Sequence, residues 1–312
     1  MTALVCGSFA FDTIMVFEDK FANHILPEQV HILNVSFLVP GMRREFGGCA
    51  GNIAYNLQLL GGDVTPMGTV GKDFGSYADW FDRCGINRRY ITEVADSYTA
   101  QAFITTDMAD NQITAFHPGA MNYAHHNQVA DVAGVKLGMV SPDGREGMLS
   151  HARQFAAAGI PFVFDPGQGT PMFNGDELQQ FIDQAQWLVV NDYEWQLIHN
   201  RTGLTPEQAA SRLQALIITQ GAEGSLIHTD GACLRIPCAP THSVQDPTGC
   251  GDAYRGGLLY GLQHGFDWET TGRIAALMGA IKIEQHGTQN HHFTLDDFKQ
   301  RFQASFNRAF PA

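Results

Sequence analysis

The segment Asp246-Pro247-Thr248-Gly249-Cys250-Gly251-Asp252-Ala253 combines the residue types that reactive chemistry needs. Gly249, Cys250 and Gly251 run directly into a stretch spaced as a helix. Two glycines let successive N–H groups converge, and a helix N-terminus adds partial positive charge, so together they form an anion hole. Asp252 falls in the first turn beside it. A carboxylate there is costly unless it has a task, such as accepting a proton from a hydroxyl aimed at the bound anion. The same residues also serve simply to start a helix, since glycine turns and first-turn Asp are common at that place. Cys250 is either a thiol made reactive by the helix terminus or a small filler.

Other constellations fall short. Gly68-Thr69-Val70-Gly71-Lys72-Asp73 lacks the spacing of a P-loop, and neither a dinucleotide glycine fingerprint nor a G-x-S-x-G elbow occurs. The chain has 13 His, but none in zinc spacing, and His125-His126 and His291-His292 read as surface residues. The 6 Cys form no C-x-x-C pair and read as free buried thiols of a reducing compartment. With 19 Lys+Arg against 32 Asp+Glu the net charge is −13, which argues against nucleic-acid or anionic-membrane partners. No apolar run approaches a membrane span and the first residues carry no basic leader, so the expected location is cytoplasmic.

The elements that must position Asp252 alternate. Apolar runs predict strands at 4–7, 11–17, 64–70, 135–140, 162–165, 187–190 and 216–219. Helical spacing predicts helices at 52–60, 74–84, 145–158, 176–184, 192–200 and 206–214, with three more at 251–264, 268–285 and 294–305. Such alternation implies an α/β chain with a mostly parallel sheet and helices on both faces. Leu226–His228 and Cys233–Pro237 around Asp230-Gly231 predict a hairpin. Segments 12–17, 30–39, 98–106 and 112–117 interrupt the rhythm. They predict a small accessory sheet inserted into a single domain spanning 1–312.

Five motifs in order resemble those of the PfkB family of carbohydrate kinases, which includes ribokinase, adenosine kinase and fructokinase. The second family signature, D-T/x-x-G-A-G-D, is similar to Asp246–Asp252, with Cys250 in place of the usual Ala. The first resembles Gly47-Gly48-Cys49-Ala50-Gly51-Asn52, followed by Leu60-Gly61-Gly62. The opening Gly7–Asp12, Asn191-Asp192-Tyr193-Glu194 and Thr219-Gln220-Gly221-Ala222-Glu223-Gly224 supply the other three.

The resemblance implies a ribokinase-like fold with the accessory sheet as a lid, and it implies roles. Asp252 would be the catalytic base, and Gly249, Cys250 and Gly251 the anion hole. Asp12, Asn52 and the Gly47-Gly48 backbone would hold sugar hydroxyls. Asn191 and Glu194 would order Mg²⁺ through water, and Asn191, Thr219, Gly221 and Gly224 would belong to the ATP site. Asp246 and Thr248 resemble the start of a loop that binds a monovalent cation such as K⁺. A homodimer through the lid is a further expectation, since apolar lid residues could pack on a second lid. An Asn that some relatives place against the nucleotide is absent from Ile274–Gly279.

The lid candidates Phe11, Ile14, Phe37, Leu38, Phe103 and Phe116 are apolar or aromatic, which suits a flat base better than a free pentose. The stretches 36–46 and 112–120 resemble bacterial adenosine-kinase-like members. The expectation is therefore a kinase acting on the 5′-hydroxyl of a purine nucleoside, adenosine to AMP. A ribokinase- or fructokinase-like sugar kinase, or an inactive ligand-binding relative, stays open. A sugar phosphate is disfavoured, because only Arg43 and Arg44 could meet a second phosphate.

Overall fold

The computed structural model describes residues 1–311 apart from Leu33 and Asp110, and leaves out the side chains of residues 28–30. In chain order the strands are β1 (Thr2–Cys6), β2 (Ala10–Val16), β3 (Gly41–Gly47), β4 (Val64–Gly71), β5 (Tyr90–Val94), β6 (Ala100–Thr106), β7 (Gln112–His117), β8 (Val135–Val140), β9 (Phe162–Phe164), β10 (Trp187–Asn191), β11 (Ala215–Thr219), β12 (Ser225–Thr229) and β13 (Ala232–Ile236). The helices are α1 (Cys49–Leu59), α2 (Gly75–Cys84), α3 (Arg145–Ala157), α4 (Gly175–Gln184), α5 (Asp192–Thr202), α6 (Pro206–Ala210), α7 (Cys250–His264), α8 (Trp268–Ile283) and α9 (Leu295–Phe306).

Among the described residues, nine strands form a central sheet in the order β13-β12-β11-β10-β9-β8-β1-β4-β5. From β11 through β5 the pairs are parallel. Apolar clusters pack on both faces, which explains the unbroken apolar runs of β9 and β10. The β12–β13 hairpin closes one edge antiparallel, turning at Asp230 and Gly231, both at positive φ as a tight two-residue turn requires. The order reverses between β8 and β1. Ligands of open α/β sheets bind beyond the strand C-termini at such a reversal, and here those ends carry Ser8, Pro142 and Asp143.

The second sheet has the order β3-β2-β6-β7. Residues 12–17, 98–106 and 112–117 contribute to it as expected, but 30–39 do not. Pro27–Ile32 forms a 3₁₀ turn and residues 34–40 form no strand; Leu33 lies outside the described residues. Val35, Phe37 and Val39 do alternate with more exposed neighbours, but β2 is already paired by β3 on one side and β6 on the other. The segment joins neither outer edge of the sheet, β3 or β7, and Phe37 packs on Phe17 and Phe21 instead. The strand that does pair is Gly41–Gly47, whose charged middle Arg43-Arg44-Glu45 hides it from a hydrophobicity reading. The helix expected at 206–214 stops at Ala210. No helix among the described residues is long and apolar enough to cross a membrane.

Candidate active site

Helix α7 starts at Gly249, whose φ of 81° is left-handed. A Cβ there would come within 2.9 Å of Thr288 Cγ2, so both conformation and space require glycine. The Cys250 N–H turns back to Pro247 O at 3.2 Å and Ala253 N–H to Gly249 O at 2.9 Å. Among the described residues the Gly249 and Gly251 amides meet no backbone acceptor. The Gly249 and Gly251 amides are thus left to face a ligand at this turn, while the Cys250 N–H is engaged by the turn itself. Its thiol is pushed up to about 11, because burial outweighs the help of Lys282. Burial thus favours the thiol form, and with it the reading of Cys250 as a small filler.

Helix α1 begins at Gly48, where φ is 86° and an added Cβ would strike the backbone of Ser8, Phe9 and Ala10 at 2.6 Å. This tight crossing sets Asn52 one turn into α1, facing α7. Asn52 Nδ2 donates to Asp252 Oδ2 at 2.8 Å. Behind it, Gln289 Nε2 donates to Asn52 Oδ1 at 2.9 Å, and Trp80 Nε1 donates to Gln289 Oε1 at 2.9 Å. This relay orients the Asn52 amide with its N–H₂ toward the carboxylate. Burial raises the Asp252 pKa above the ordinary carboxylate range, against the pull of Arg255 and the bond from Asn52.

Asp12, on lid strand β2, shares the cavity. Burial first, then the charge of Asp252, raises it to about 6. Gly47 lies against it: a Cβ there would sit 2.6 Å from Asp12 Oδ2. The Gly47 carbonyl accepts from Tyr77 OH at 2.9 Å rather than facing the cavity.

Asn191 and Glu194 form a reciprocal capping box on α5. Glu194 N donates to Asn191 Oδ1 at 2.7 Å, and Asn191 N donates to Glu194 Oε2 at 2.8 Å. The motif thus has a structural task as well as its place on the cavity, and one Glu194 oxygen stays free of the cap. No group of three or more His, Cys, Asp or Glu among the described residues could hold a metal alone. That suits Mg²⁺, which keeps several waters and is usually held by one or two carboxylates together with substrate phosphates.

One cavity of about 1190 Å³ brings these together. Asp12, Gly48, Asn52, Phe116, Asn191, Glu194, Thr219, Gly221, Gly224, Thr248, Gly249, Cys250, Gly251 and Asp252 line it; Gly47 and Asp246 do not. The Asp246 carboxylate instead accepts from the Thr248 and Gly287 amides, both at 2.9 Å. Arg43 pairs with Glu45, and Arg44 pairs with Asp73 while stacking 3.6 Å from the Phe11 ring centroid.

Sequence reasoning missed several wall residues. Arg255 is buried one helical turn below Asp252. Its Nη2 donates to Asp165 Oδ1 at 2.5 Å, and its Nη1 donates to Gly251 O at 3.0 Å. Burial works against the guanidinium charge, but Asp165, Glu194 and Asp252 outweigh it and hold its pKa above the ordinary value. The only signal was an Arg three residues after Asp252, indistinguishable from a surface residue. Asp143 lies just beyond the end of β8 and is 2% exposed, with no partner for its Oδ2 among the described residues; burial raises it to about 8. Where an Asn was absent from α8, Ala276, Gly279, Ala280 and Ile283 give the cavity an apolar wall. His291 proves buried, not surface: its ring bonds Asn56 Oδ1 at 2.8 Å, and burial lowers its pKa to about 3. His292 is exposed. The cysteines are all free, but only Cys6 and Cys49 are fully buried.

The profile of the pfkB family carbohydrate kinase matches residues 12–294. A nucleoside kinase of Methanocaldococcus jannaschii is 31% identical over 273 residues, 86% of this chain and 89% of that protein. The structure of a Burkholderia thailandensis nucleoside kinase in complex with inosine superposes with a TM-score of 0.90 at 50% identity, covering 99% of this chain and all of that one. The same enzyme in complex with ADP-inosine gives 0.88 at 52% identity, covering 99% and 98%. Five motifs in family order, gathered around one cavity, and a likeness that runs end to end make this chain a member of the PfkB family of carbohydrate kinases, a phosphotransferase on a ribokinase-like α/β fold.

Proposed function

We propose that this chain is an ATP-dependent kinase that phosphorylates the 5′-hydroxyl of a purine nucleoside, adenosine to AMP being the first reaction to test. The observation that carries this reading is the Asn52–Asp252 pair beside the free amides of α7, across one cavity from Asp12. Asp252 takes the hydroxyl proton as the acceptor oxygen attacks the γ-phosphorus. It need not be a strong base, because in a loose transition state that proton leaves late. The Gly249 and Gly251 amides meet the charge on the transferring group; each oriented donor of this kind is worth about 2.7–4 kcal/mol. Arg255 stiffens this turn through Gly251 O. Bound Mg²⁺, held by Glu194 through water, would neutralise phosphate charge. Thr219, Gly221 and Gly224 edge the ATP site, and the apolar wall of α8 takes its adenine.

Asp12 accepts from the ribose hydroxyls, and Phe116 of the lid covers the base. The core supplies Asp252 and the lid supplies Asp12, so residues 1–312 work as one unit. A nucleoside suits the apolar lid and fits the names of the relatives, one of which is seen with inosine. The neutralised Arg43 and Arg44 leave little for a second substrate phosphate. Exposed Val16, Met42 and Ile113 on the lid support a homodimer formed there.

The test is steady-state turnover with ATP and Mg²⁺ against adenosine, inosine, guanosine, ribose and fructose. The purine nucleosides should give the highest kcat/KM. Turnover of ribose or fructose above all nucleosides would reassign the substrate, and binding without turnover would make the chain a sensor.

A further inference from the structure

The loop that holds the anion hole is tied to the end of α8 by a buried cation. Lys282 is 0% exposed. Its Nζ donates to Asp246 O at 2.7 Å and to Gln285 O at 3.1 Å, and lies 4.0 Å from Asp246 Oδ2. The two carbonyls come from the two loops that meet under Gly249. Those loops are stitched by further bonds: Gln245 N and Asp246 N donate to Ile283 O, and Gly287 N donates to Asp246 Oδ2. Thr288, in the second loop, packs on Gly249 and donates to Phe46 O of the lid.

Main-chain carbonyls converging from two loops beside a carboxylate are a coordination shell for a monovalent cation. Here the shell is filled from within the chain, so Asp246 and Thr248 do not fit a site for free K⁺. A buried ammonium is costly unless its donors are met, and this one has two carbonyls and a nearby carboxylate. At the end of α8 it also faces the negative end of the helix dipole.

We propose that Lys282 is a built-in substitute for a monovalent cation: a positioning residue that clamps the 245–249 and 284–288 loops and so fixes the Gly249 and Gly251 amides, leaving the enzyme independent of K⁺. This rests on reading the start of α7 as the phosphoryl site. It goes further in saying what holds that site.

The test exchanges K⁺ for Na⁺ or tetramethylammonium at constant ionic strength, and follows both kcat and thermal midpoint. Wild type should stay within about twofold in kcat, with an unchanged midpoint in all three salts. Lys282→Ala should lose about tenfold or more in kcat in tetramethylammonium, as expected when reacting groups lose their aim. Both its kcat and its midpoint should recover in K⁺ or NH₄⁺, which fit the vacated shell. Lys282→Met, which fills the space without charge, should not recover. A wild type that needs K⁺ would overturn the proposal, as would a Lys282→Ala enzyme fully active in tetramethylammonium or one that no cation rescues. If Lys282→Ala does not fold without a cation, folding restored by K⁺ or NH₄⁺ supports the proposal and failure to fold in either overturns it. The midpoint shifts need no substrate, so they test Lys282 even if no nucleoside is turned over; a wild type inactive on every acceptor would instead sink the functional reading.

Discussion

Strand β10 of the central sheet is buried from Trp187 to Val190, whereas lid strand β7 is exposed at every residue from Gln112 to His117. Both are regular strands, but different forces make them. β10 lies between β9 and β11 with apolar clusters on both faces, so its composition alone demands burial. β7 has one neighbour, β6, and an open face, so pairing rather than burial holds it. The same contrast runs through the site. Asp252 stands on a helix packed into the core, while Asp12 and Phe116 stand on the sheet that covers it. The division teaches that chemistry should depend on the rigid half and affinity on the open half.

The sharpest way to break this comparison is Asp252→Asn. The amide keeps size and hydrogen bonding but cannot take the proton, so kcat should fall by about 10²–10⁴-fold with KM for nucleoside little changed. A kcat within a few-fold of wild type would show that the core half does not do the chemistry.

Next in size is the core's own stability. Phe164 is 0% exposed and stacks on Phe181 with ring centroids 4.2 Å apart. Phe164→Ala should cost about 3–5 kcal/mol in denaturant unfolding, with KM unchanged in the fraction that stays folded.

Asp12→Ala should do the converse. A charged hydrogen bond is worth about 1.5–3 kcal/mol, so KM for nucleoside should rise about 10–10²-fold while unfolding midpoints barely move. Because Asp12 titrates at about 6, wild-type KM should also rise as pH falls through that value, where the carboxylate gains a proton and one acceptor is lost. The variant should lack this dependence. A 2′-deoxynucleoside should penalise wild type far more than Asp12→Ala.

Asp143 sharpens the comparison from the floor of the cavity. Its folded-state pKa of about 8 lies far above the ordinary carboxylate range. Between that range and pH 8 the folded chain therefore holds a proton that the unfolded chain has released, and stability falls as pH rises, by at most about 1.4 kcal/mol per pH unit. Urea unfolding from pH 5 to 8 should show a smaller slope in Asp143→Asn than in wild type; equal slopes would mean that Asp143 is ionised in the fold.

The smallest effect belongs to Phe116, which is 53% exposed. Phe116→Ala should leave stability within about 0.5 kcal/mol and raise KM for nucleoside a few-fold with kcat unchanged. A loss of stability instead would make β7 part of the core.

The sequence was most legible where burial is deepest. β8, β9, β10 and β11, and the helices between them, fall within a residue or two of the apolar runs and helical spacing that predict them, α6 excepted. Local chemistry was legible too: Gly249 at its left-handed turn, Asp252 in the first turn of the helix, and the Asn191–Glu194 pair are all features of adjacent residues. Legibility failed where the cause was a distant partner. Val35, Phe37 and Val39 have a strand's alternation, yet Phe37 is taken up by Phe17 and Phe21 rather than by the sheet, while Gly41–Gly47 has a charged middle and yet pairs along its whole length with β2.

By itself, then, the order of residues determined the alternating architecture, the left-handed glycine turn at the start of α7 and the carboxylate beside it, because propensity, periodicity and capping act within a few positions of the chain. Only the folded structure decided which of the 32 Asp and Glu share a cavity. Asn52 meets Asp252 across 200 positions and Gln289 meets Asn52 across 237, while Arg255 finds Asp165 across 90. It also decided that Lys282, an unremarkable basic residue at a helix end, is buried against the Asp246 and Gln285 carbonyls of the two loops that meet under Gly249. Burial and electrostatics depend on what packs around a group, and packing is set by contacts between segments far apart in the chain.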